Sequence, residues 1–236
     1  NLIPIRKAAE MLGVSIDTLR RWDRKGSFSA IRTPGGHRYY SPEQLSLFKE
    51  DLLTLAKSWV INADKTEPKN EFYCPNSIVF QSRLMRLEKE LLETFAGVNH
   101  ILLVSAAVGE IGNNSFDHNI GNWRDIPGIF FGYDLRKRQV VLADRGQGVL
   151  TTLRHVKPEL ATDKEALHTA FTEVISGRAP EARGNGLKLV KLIVERNPLS
   201  VDFYSGDAAA ALYHDKDMNI RSSTPAVSGC IAFIRF

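Results

Sequence analysis

The sequence predicts an α+β protein in two parts: a small basic head laid out as a winged helix-turn-helix, and a larger two-layer α/β sandwich. Three observations carry this. Helix-length and strand-length apolar segments follow one another without an internal repeat, and the strand-like ones pair through short turns, as in a largely antiparallel sheet. A polar, breaker-rich stretch, Asn62-Ala-Asp-Lys-Thr-Glu-Pro-Lys-Asn-Glu71, divides the chain. The formal charge of +4 is confined to one end. Residues 1–60 hold ten Lys/Arg (Arg6, Lys7, Arg20, Arg21, Arg24, Lys25, Arg32, Arg38, Lys49, Lys57) against six acids, and the rest balances at 21 against 21.

In the head, residues 4–12 read as a short helix with Ala8, Ala9, Met11 and Leu12 on its apolar side. Gly13-Val14-Ser15 is a tight turn, and Ser15 is an N-cap with Asp17 in the positive first turn of a second helix. That helix runs to about Lys25 and ends at Gly26. Ile16, Leu19 and Trp22 fall at helical spacing and pack inward, which leaves Arg20, Arg21 and Arg24 facing elsewhere. Phe28–Arg32 and His37–Tyr40 flank Thr33-Pro-Gly-Gly36 as a hairpin. Ser41-Pro42-Glu43-Gln44 opens a third helix, with proline at its first position and Gln44 completing a capping box. It reaches roughly Val60, so the expected division is a head at 1–60, a linker at 61–71 and a body at 72–236.

The body opens with an edge strand at Phe72–Cys74 and a helix from about Ser77 to Phe95, with Ile78, Leu84, Leu87, Leu91 and Leu92 on one side. A longer helix from about Asn99 follows. Gly128–Tyr133 and Gln139–Ala143 read as paired strands across the turn Asp134-Leu-Arg-Lys-Arg138, whose arginines sit at an exposed tip. A helix at about Lys164–Ser176 leads into a loop of glycine, proline and arginine up to Gly186. Leu187–Asn197 is helical, and Ser200–Tyr204, Ala209–His214 and Gly229–Phe236 are strands.

A chain of 236 residues with 43% hydrophobic content is expected to be globular, with no apolar run near the ~20 residues that span a bilayer. The N-terminal residues lack the order of a secretory signal, and two cysteines, Cys74 and Cys230, make neither a disulfide framework nor a metal cluster. The expectation is a cytoplasmic protein without a membrane partner.

Helix, tight turn, helix and basic hairpin suit double-stranded DNA. The second helix fits the major groove, with Ser15 and Thr18 at its start and Arg20, Arg21 and Arg24 toward phosphates or base edges. The hairpin, with Arg32, His37, Arg38 and Tyr39, reaches the backbone or minor groove. Three stretches resemble the MerR-type and excisionase-type DNA-binding domain: Ile5-Arg-Lys-Ala-Ala-Glu-Met-Leu-Gly-Val-Ser15, Thr18-Leu-Arg-Arg-Trp22, and Arg32-Thr-Pro-Gly-Gly-His-Arg-Tyr-Tyr40-Ser-Pro42. A single such head reads a short site, so a homodimer on a two-fold operator is expected.

In the body three segments stand out: Glu110-Ile-Gly-Asn-Asn114-Ser-Phe-Asp117-His118-Asn119, Asp144-Arg-Gly146-Gln-Gly148, and Arg183-Gly184-Asn185-Gly186-Leu187. Glu110 and Asn114 leave one helix face a turn apart, with Asp117 three residues on. An amide oxygen suits Mg²⁺, which takes few protein ligands beside phosphate oxygens, and a neighbouring carboxylate can orient or deprotonate a hydroxyl. Asp144 ends a buried strand, where a carboxylate needs a partner such as an exocyclic amine. Gly146 and Gly148 let the chain pass close to a base. Gly184 and Gly186 put free N–H groups at the positive end of a helix, where phosphate binds.

These segments resemble the boxes of the GHKL superfamily, over residues 71–236. The resemblance implies that Asn114 ligates Mg²⁺, that Glu110 takes the acid/base position, and that Asp144 accepts from adenine beside Gly146 and Gly148. Gly184 and Gly186, with Arg183, Asn185 and Leu187 around them, cradle the phosphates of ATP. Residues 177–183 become part of a movable lid in which Arg178 and Arg183 contact phosphate. The chain departs from the pattern at Gly229-Cys230, where a Gly-Thr hydroxyl ordinarily supports the adenine aspartate, and at Lys188, where a further glycine is usual. No histidine lies in residues 77–97, which argues against a self-contained histidine kinase. The functional expectations are a DNA-binding regulator set by Mg-ATP, an ATPase or anti-sigma-type protein kinase that the head localises, and, third, a degenerate site that binds no nucleotide and only mediates protein contacts. Protein partners stay open.

Overall fold

The computed structural model describes residues 2–12, 14–24, 28–49, 51–173 and 186–236, the side chains of 46–49 excepted. The chain divides into two units, Asn1–Asp51 and Leu52–Phe236.

The first unit contains α1 (Ile5–Leu12), α2 (Ile16–Arg24) and α3 (Pro42–Lys49), with short strands β1 (Ile3–Pro4), β2 (Ile31–Arg32) and β3 (Arg38–Tyr40). The strands form an antiparallel sheet in the order β1-β3-β2. Capping chemistry sets the helix starts. Ser15 Oγ accepts the Thr18 N–H at 3.1 Å. Ser41 Oγ accepts the Gln44 N–H at 3.1 Å while Gln44 Oε1 accepts the Ser41 N–H at 2.9 Å. Ala8, Ala9, Leu19, Tyr40 and Leu45 form the core, and Phe28 stacks on Tyr40 with ring centroids 4.8 Å apart. The expected end of α2 at Lys25 and Gly26, and the turn glycine Gly13, lie outside the described residues.

The second unit begins with α4 (Leu52–Ile61) and continues through β4 (Tyr73–Cys74), α5 (Ser77–Thr94), α6 (Ile101–Asn119), β5 (Ile129–Asp134), β6 (Gln139–Asp144), α7 (Gly148–Arg154), α8 (Asp163–Thr172), α9 (Gly186–Arg196), β7 (Ser200–Tyr213) and β8 (Asn219–Arg235). Among the described residues its strands form one antiparallel sheet, β4-β5-β6-β8-β7. Successive residues of a strand feed opposite faces. Val140 and Leu142 join the core shared with α5, α6 and α9, whereas Val141 and Ala143 join Leu52, Ala56, Trp59 and Val60 of α4 on the other face.

That second face moves the domain boundary. The sequence suggests one helix to Val60 and a linker at 61–71, but Asp51 is not helical and α4 belongs to the body. Its apolar side needs a partner, and the inner side chains of β5, β6, β7 and β8 supply one, adding a layer to the expected two. The buried stripe of α5 is also shifted. Phe80, Leu87 and Leu91 are buried while Ile78 and Leu92 are exposed, because the Phe80 ring fills the space beside Gly112 of α6. The C-terminal region holds two long strands rather than three short ones, with a register shift between Ser205 and Ala208 that absorbs the expected break. Among the described residues no helix is long and apolar enough to cross a membrane.

Candidate functional site

In the second unit, α6 turns Ile111, Asn114, Ser115, His118 and Asn119 into one cavity, a spacing of three and four residues that defines a single helix face. The cavity encloses about 820 Å³, counting its mouth to solvent. Val149 and Leu153 of α7, Leu187 of α9 and Phe203 of β7 give it an apolar wall, and Asp144, Gly148, Gly186 and Cys230 complete it. Convergent polar groups in an apolar cleft are the usual form of a small-molecule site.

The three segments singled out in the sequence converge here. Gly186 opens α9 so close to α6 that a β-carbon added to it would lie 2.8 Å from Glu110 Oε2 and 3.0 Å from Asn114 Nδ2. Only a hydrogen at that position leaves those two groups undisturbed. Asp117 is half-buried and lies off the lining stripe. Arg178, Arg183, Gly184 and Asn185, with the lid expected at 177–183, lie outside the described residues.

Asp144, the last residue of β6, is buried at the other end of the cavity. Its carboxylate accepts from the Ser115 hydroxyl at 2.8 Å and from the Gly146 N–H at 2.9 Å. Burial pushes its carboxyl up to about 6, opposed by hydrogen bonds from Gly146, Ser115, the Cys230 backbone and Asn119. The β8 strand passes Asp144 at Gly229, whose φ of +85° and missing β-carbon (which would sit 2.6 Å from Asp144 Oδ1) both call for glycine.

Several members of the site escape a reading of the sequence. Ser115 looks like one more polar residue on a helix, yet its hydroxyl donates to the buried Asp144 carboxylate. The Cys230 thiol lines the cavity and is held protonated, chiefly by burial and then by the neighbouring Asp144 charge. Asn119 Oδ1 accepts the Gln147 N–H at 3.0 Å and Asn119 Nδ2 donates to Ser115 O at 2.8 Å, so it fixes the turn between Asp144 and Gly148 against α6. Ser205 Oγ accepts the Val149 N–H and donates to Gly229 O, tying the start of α7 to β8. Among the described residues no group of three or more His, Cys, Asp or Glu is placed to hold a metal ion.

In the first unit, Arg20, Arg21, Arg24, Arg32 and His37 are exposed, and Arg38 and Tyr39 are half-buried. Ser15 and Thr18 are engaged with each other at the helix start, with their hydroxyls 2.9 Å apart. Arg20 pairs with Asp17 at 3.1 Å in the open, where such pairs add little. Asp23 organises the hairpin, a role its sequence context does not announce. It accepts from the Ala30 N–H at 3.0 Å, from Arg32 at 2.7 Å and from Arg38 at 2.6 Å. The Ala30 N–H, followed by the Arg38 and Arg32 side chains, holds its carboxyl down at about 2. Arg38, expected among the DNA contacts, is therefore committed first to Asp23, whereas Arg32 keeps half of its side chain exposed.

Residues 4–40 match the family described as MerR family regulatory protein. The chain is also similar to the Type II methyltransferase M.Eco47II of Escherichia coli, 34% identical over 70 residues. That similarity covers 29% of this chain and 16% of the methyltransferase, so the chain spans less than a fifth of the curated relative's length. The N-terminal unit thus carries a MerR-like helix-turn-helix, a domain that suggests a DNA-binding regulator.

Proposed function

We propose that this chain is a nucleotide-responsive DNA-binding regulator, with DNA on the MerR-like head and Mg-ATP in the body cavity. The observation that carries the nucleotide half is the convergence at Gly186. Gly186 at the start of a helix and the Asn114 amide line one end of a cavity, with the Glu110 carboxylate against Gly186, and a buried, hydrogen-bonded Asp144 lines the same cavity. This supports the GHKL resemblance of the sequence.

The donor chemistry fits the ligand. Helix N–H groups at Gly186 favour phosphate, and Asn114 offers a cation one neutral oxygen, leaving phosphate oxygens and water to supply the rest. Asp144 is the acceptor for an exocyclic amine, and Val149, Leu153 and Phe203 give a base an apolar surface. Magnesium would neutralise phosphate charge. Glu110 beside Asn114 keeps turnover open, as an ATPase or as a kinase acting on a partner.

The head brings its own support in the exposed Arg20, Arg21 and Arg24 on α2, the second helix of a helix-turn-helix and the element that enters a major groove in such domains. A dimer on a two-fold site follows from the short footprint of one head.

The test is a titration of labelled ATP with Mg²⁺ on the full chain, together with DNA binding measured in each nucleotide state. Binding that Asp144→Asn abolishes, and DNA affinity that changes with Mg-ATP, are expected. No binding of ATP, or equal DNA affinity in every state, would overturn the proposal. Phosphate release that Glu110→Ala abolishes while ATP still binds would assign turnover as well.

A further inference from the structure

We infer that Arg145 is a positioning residue that couples occupancy of the Asp144 cavity to the seating of α4, the helix through which the chain passes from head to body. The inference rests on the nucleotide reading above and concerns how that site is regulated.

Arg145 directly follows Asp144 and is only 4% exposed. A guanidinium that dry is costly unless its donors are matched. Here the two neighbours serve opposite sides. Asp144 points to the cavity and takes the Ser115 hydroxyl, while Arg145 reaches α4 on the second face of the sheet. Its Nη1 donates to Trp59 O at 2.6 Å and to Asn62 O at 2.8 Å, carbonyls at the C-terminal end of α4. Such carbonyls have no partner within their helix and carry its negative end, so a cation is the natural cap. Nε and Nη2 form a fork on Asp125, at 3.0 and 2.5 Å. The guanidinium also lies over the Trp59 ring, 5.9 Å from its centroid, and Trp59 Nε1 donates to Thr66 O at 2.9 Å.

One side chain therefore joins three segments: the strand end that carries Asp144, the loop after α6 through Asp125, and the end of α4. The Asp144–Gly148 turn is short and pinned on the cavity side by Ser115 and Asn119. A ligand that engages Asp144 and the turn acts on the backbone from which Arg145 projects. Stabilising that backbone stabilises the cap on α4, and an unseated α4 leaves Arg145 buried without its carbonyls. Such coupling is reciprocal and needs only a difference in ligand affinity between the two arrangements.

The consequence for the head lies in the tether. The first unit ends at Asp51 and α4 starts at Leu52, so α4 is the first element of the body that follows the head in the chain. With α4 released, the stretch from Leu52 to about Lys69, before the Asn70 and Glu71 carbonyls that Arg83 holds, lengthens the connection between head and body.

Hydrogen exchange of the full chain, with and without Mg-ATP, reads this directly. In the wild type Mg-ATP slows exchange of the amides in 56–62 by about tenfold, within the usual range of site-to-site coupling, while α5, which gives the cavity no lining residue, serves as reference. Arg145→Lys keeps the charge but has no planar fork to span Asp125 and two carbonyls. It still binds labelled ATP and loses the slowing. Asp125→Asn weakens the fork without touching Arg145 and diminishes the slowing, which keeps the test open should Arg145→Lys fold poorly. Labelled ATP that binds the wild type with no change at 56–62, or slowing that survives in a folded Arg145→Lys, overturns the coupling alone. Failure of the wild type to bind ATP removes the nucleotide reading, and this inference with it.

Discussion

The Ser115 hydroxyl donates to the Asp144 carboxylate at 2.8 Å, across the boundary between the helical layer and the sheet. The pair turns a buried acid at a strand end into a directed acceptor. It also places the hydroxyl on α6, the helix that carries Glu110 and Asn114, so one element positions groups at both ends of the cavity.

Ser115→Ala should weaken ATP binding by about tenfold, because losing a hydrogen bond to a buried charged group costs roughly 1–3 kcal/mol. Ser115→Thr keeps the hydroxyl and should recover most of the loss. Calorimetric titration of the two variants checks this. Equal affinity in wild type and Ser115→Ala would remove Asp144 from ligand recognition.

Asp144 also makes stability depend on pH. Its folded carboxyl is pushed up to about 6 from an ordinary 3.8, so between those values the folded state holds a proton the unfolded chain has released. Its contribution is complete below about pH 4 and lost as pH rises through 6. Relative to Asp144→Asn, the wild type should lose on the order of 2–3 kcal/mol of unfolding free energy between pH 4 and pH 7. Denaturant titrations at a series of pH values measure it. ATP affinity should move the other way, rising as Asp144 ionises, since an acceptor for an amine must carry no proton.

The legible parts of the site are those that rest on local spacing. Glu110 and Asn114 share a helix face, Asp144 ends an apolar strand, and Gly186 starts a helix; each is a matter of a few consecutive residues. Ser115, Asp23 and Arg145 were not legible, because what they do depends on partners far along the chain. Arg145 meets Trp59 and Asn62 across more than eighty positions. The same blindness misplaced the domain boundary. Residues 62–71 do look like a linker, but α4 before them is apolar enough to need the sheet face that only the fold reveals. On α5 the periodicity held for Leu84, Leu87 and Leu91, while Ile78 and Leu92 fall at the exposed edge because Phe80, packed against Gly112, takes the buried place.

Gly186→Ala tests the phosphate end. The new methyl would sit against Glu110 Oε2 and Asn114 Nδ2, and alanine is favoured within a helix, so folding should survive while the polar cluster is pushed apart. ATP affinity should fall by tenfold or more, with a melting temperature within a few degrees of wild type, as expected for a change of less than about 1 kcal/mol in a domain this size. A Gly186→Ala protein that binds ATP normally would place the phosphates elsewhere.

The head offers a sharper separation between arginines that read DNA and arginines that hold the fold. Arg24 is exposed on α2, so Arg24→Ala should weaken DNA binding and reduce the slope of log affinity against log salt by about one, leaving thermal stability unchanged. Arg38 is mostly covered and spends its guanidinium on Asp23 at 2.6 Å, beside the Ala30 N–H that sets the hairpin. Arg38→Ala should lower the stability of the head, by about 1–3 kcal/mol for a charge-assisted bond to a covered carboxylate. Asp23→Asn should be destabilising too, because it weakens the acceptor for Arg32, Arg38 and Ala30 together. Asp23 is ionised down to about pH 2, so its stabilisation is present above pH 4 and fades only as the pH falls toward 2. The Asp23→Asn deficit should therefore be constant from pH 5 to 8 and shrink in strong acid. A deficit that instead grows on acidification would mean that the carboxylate strains the hairpin rather than holding it.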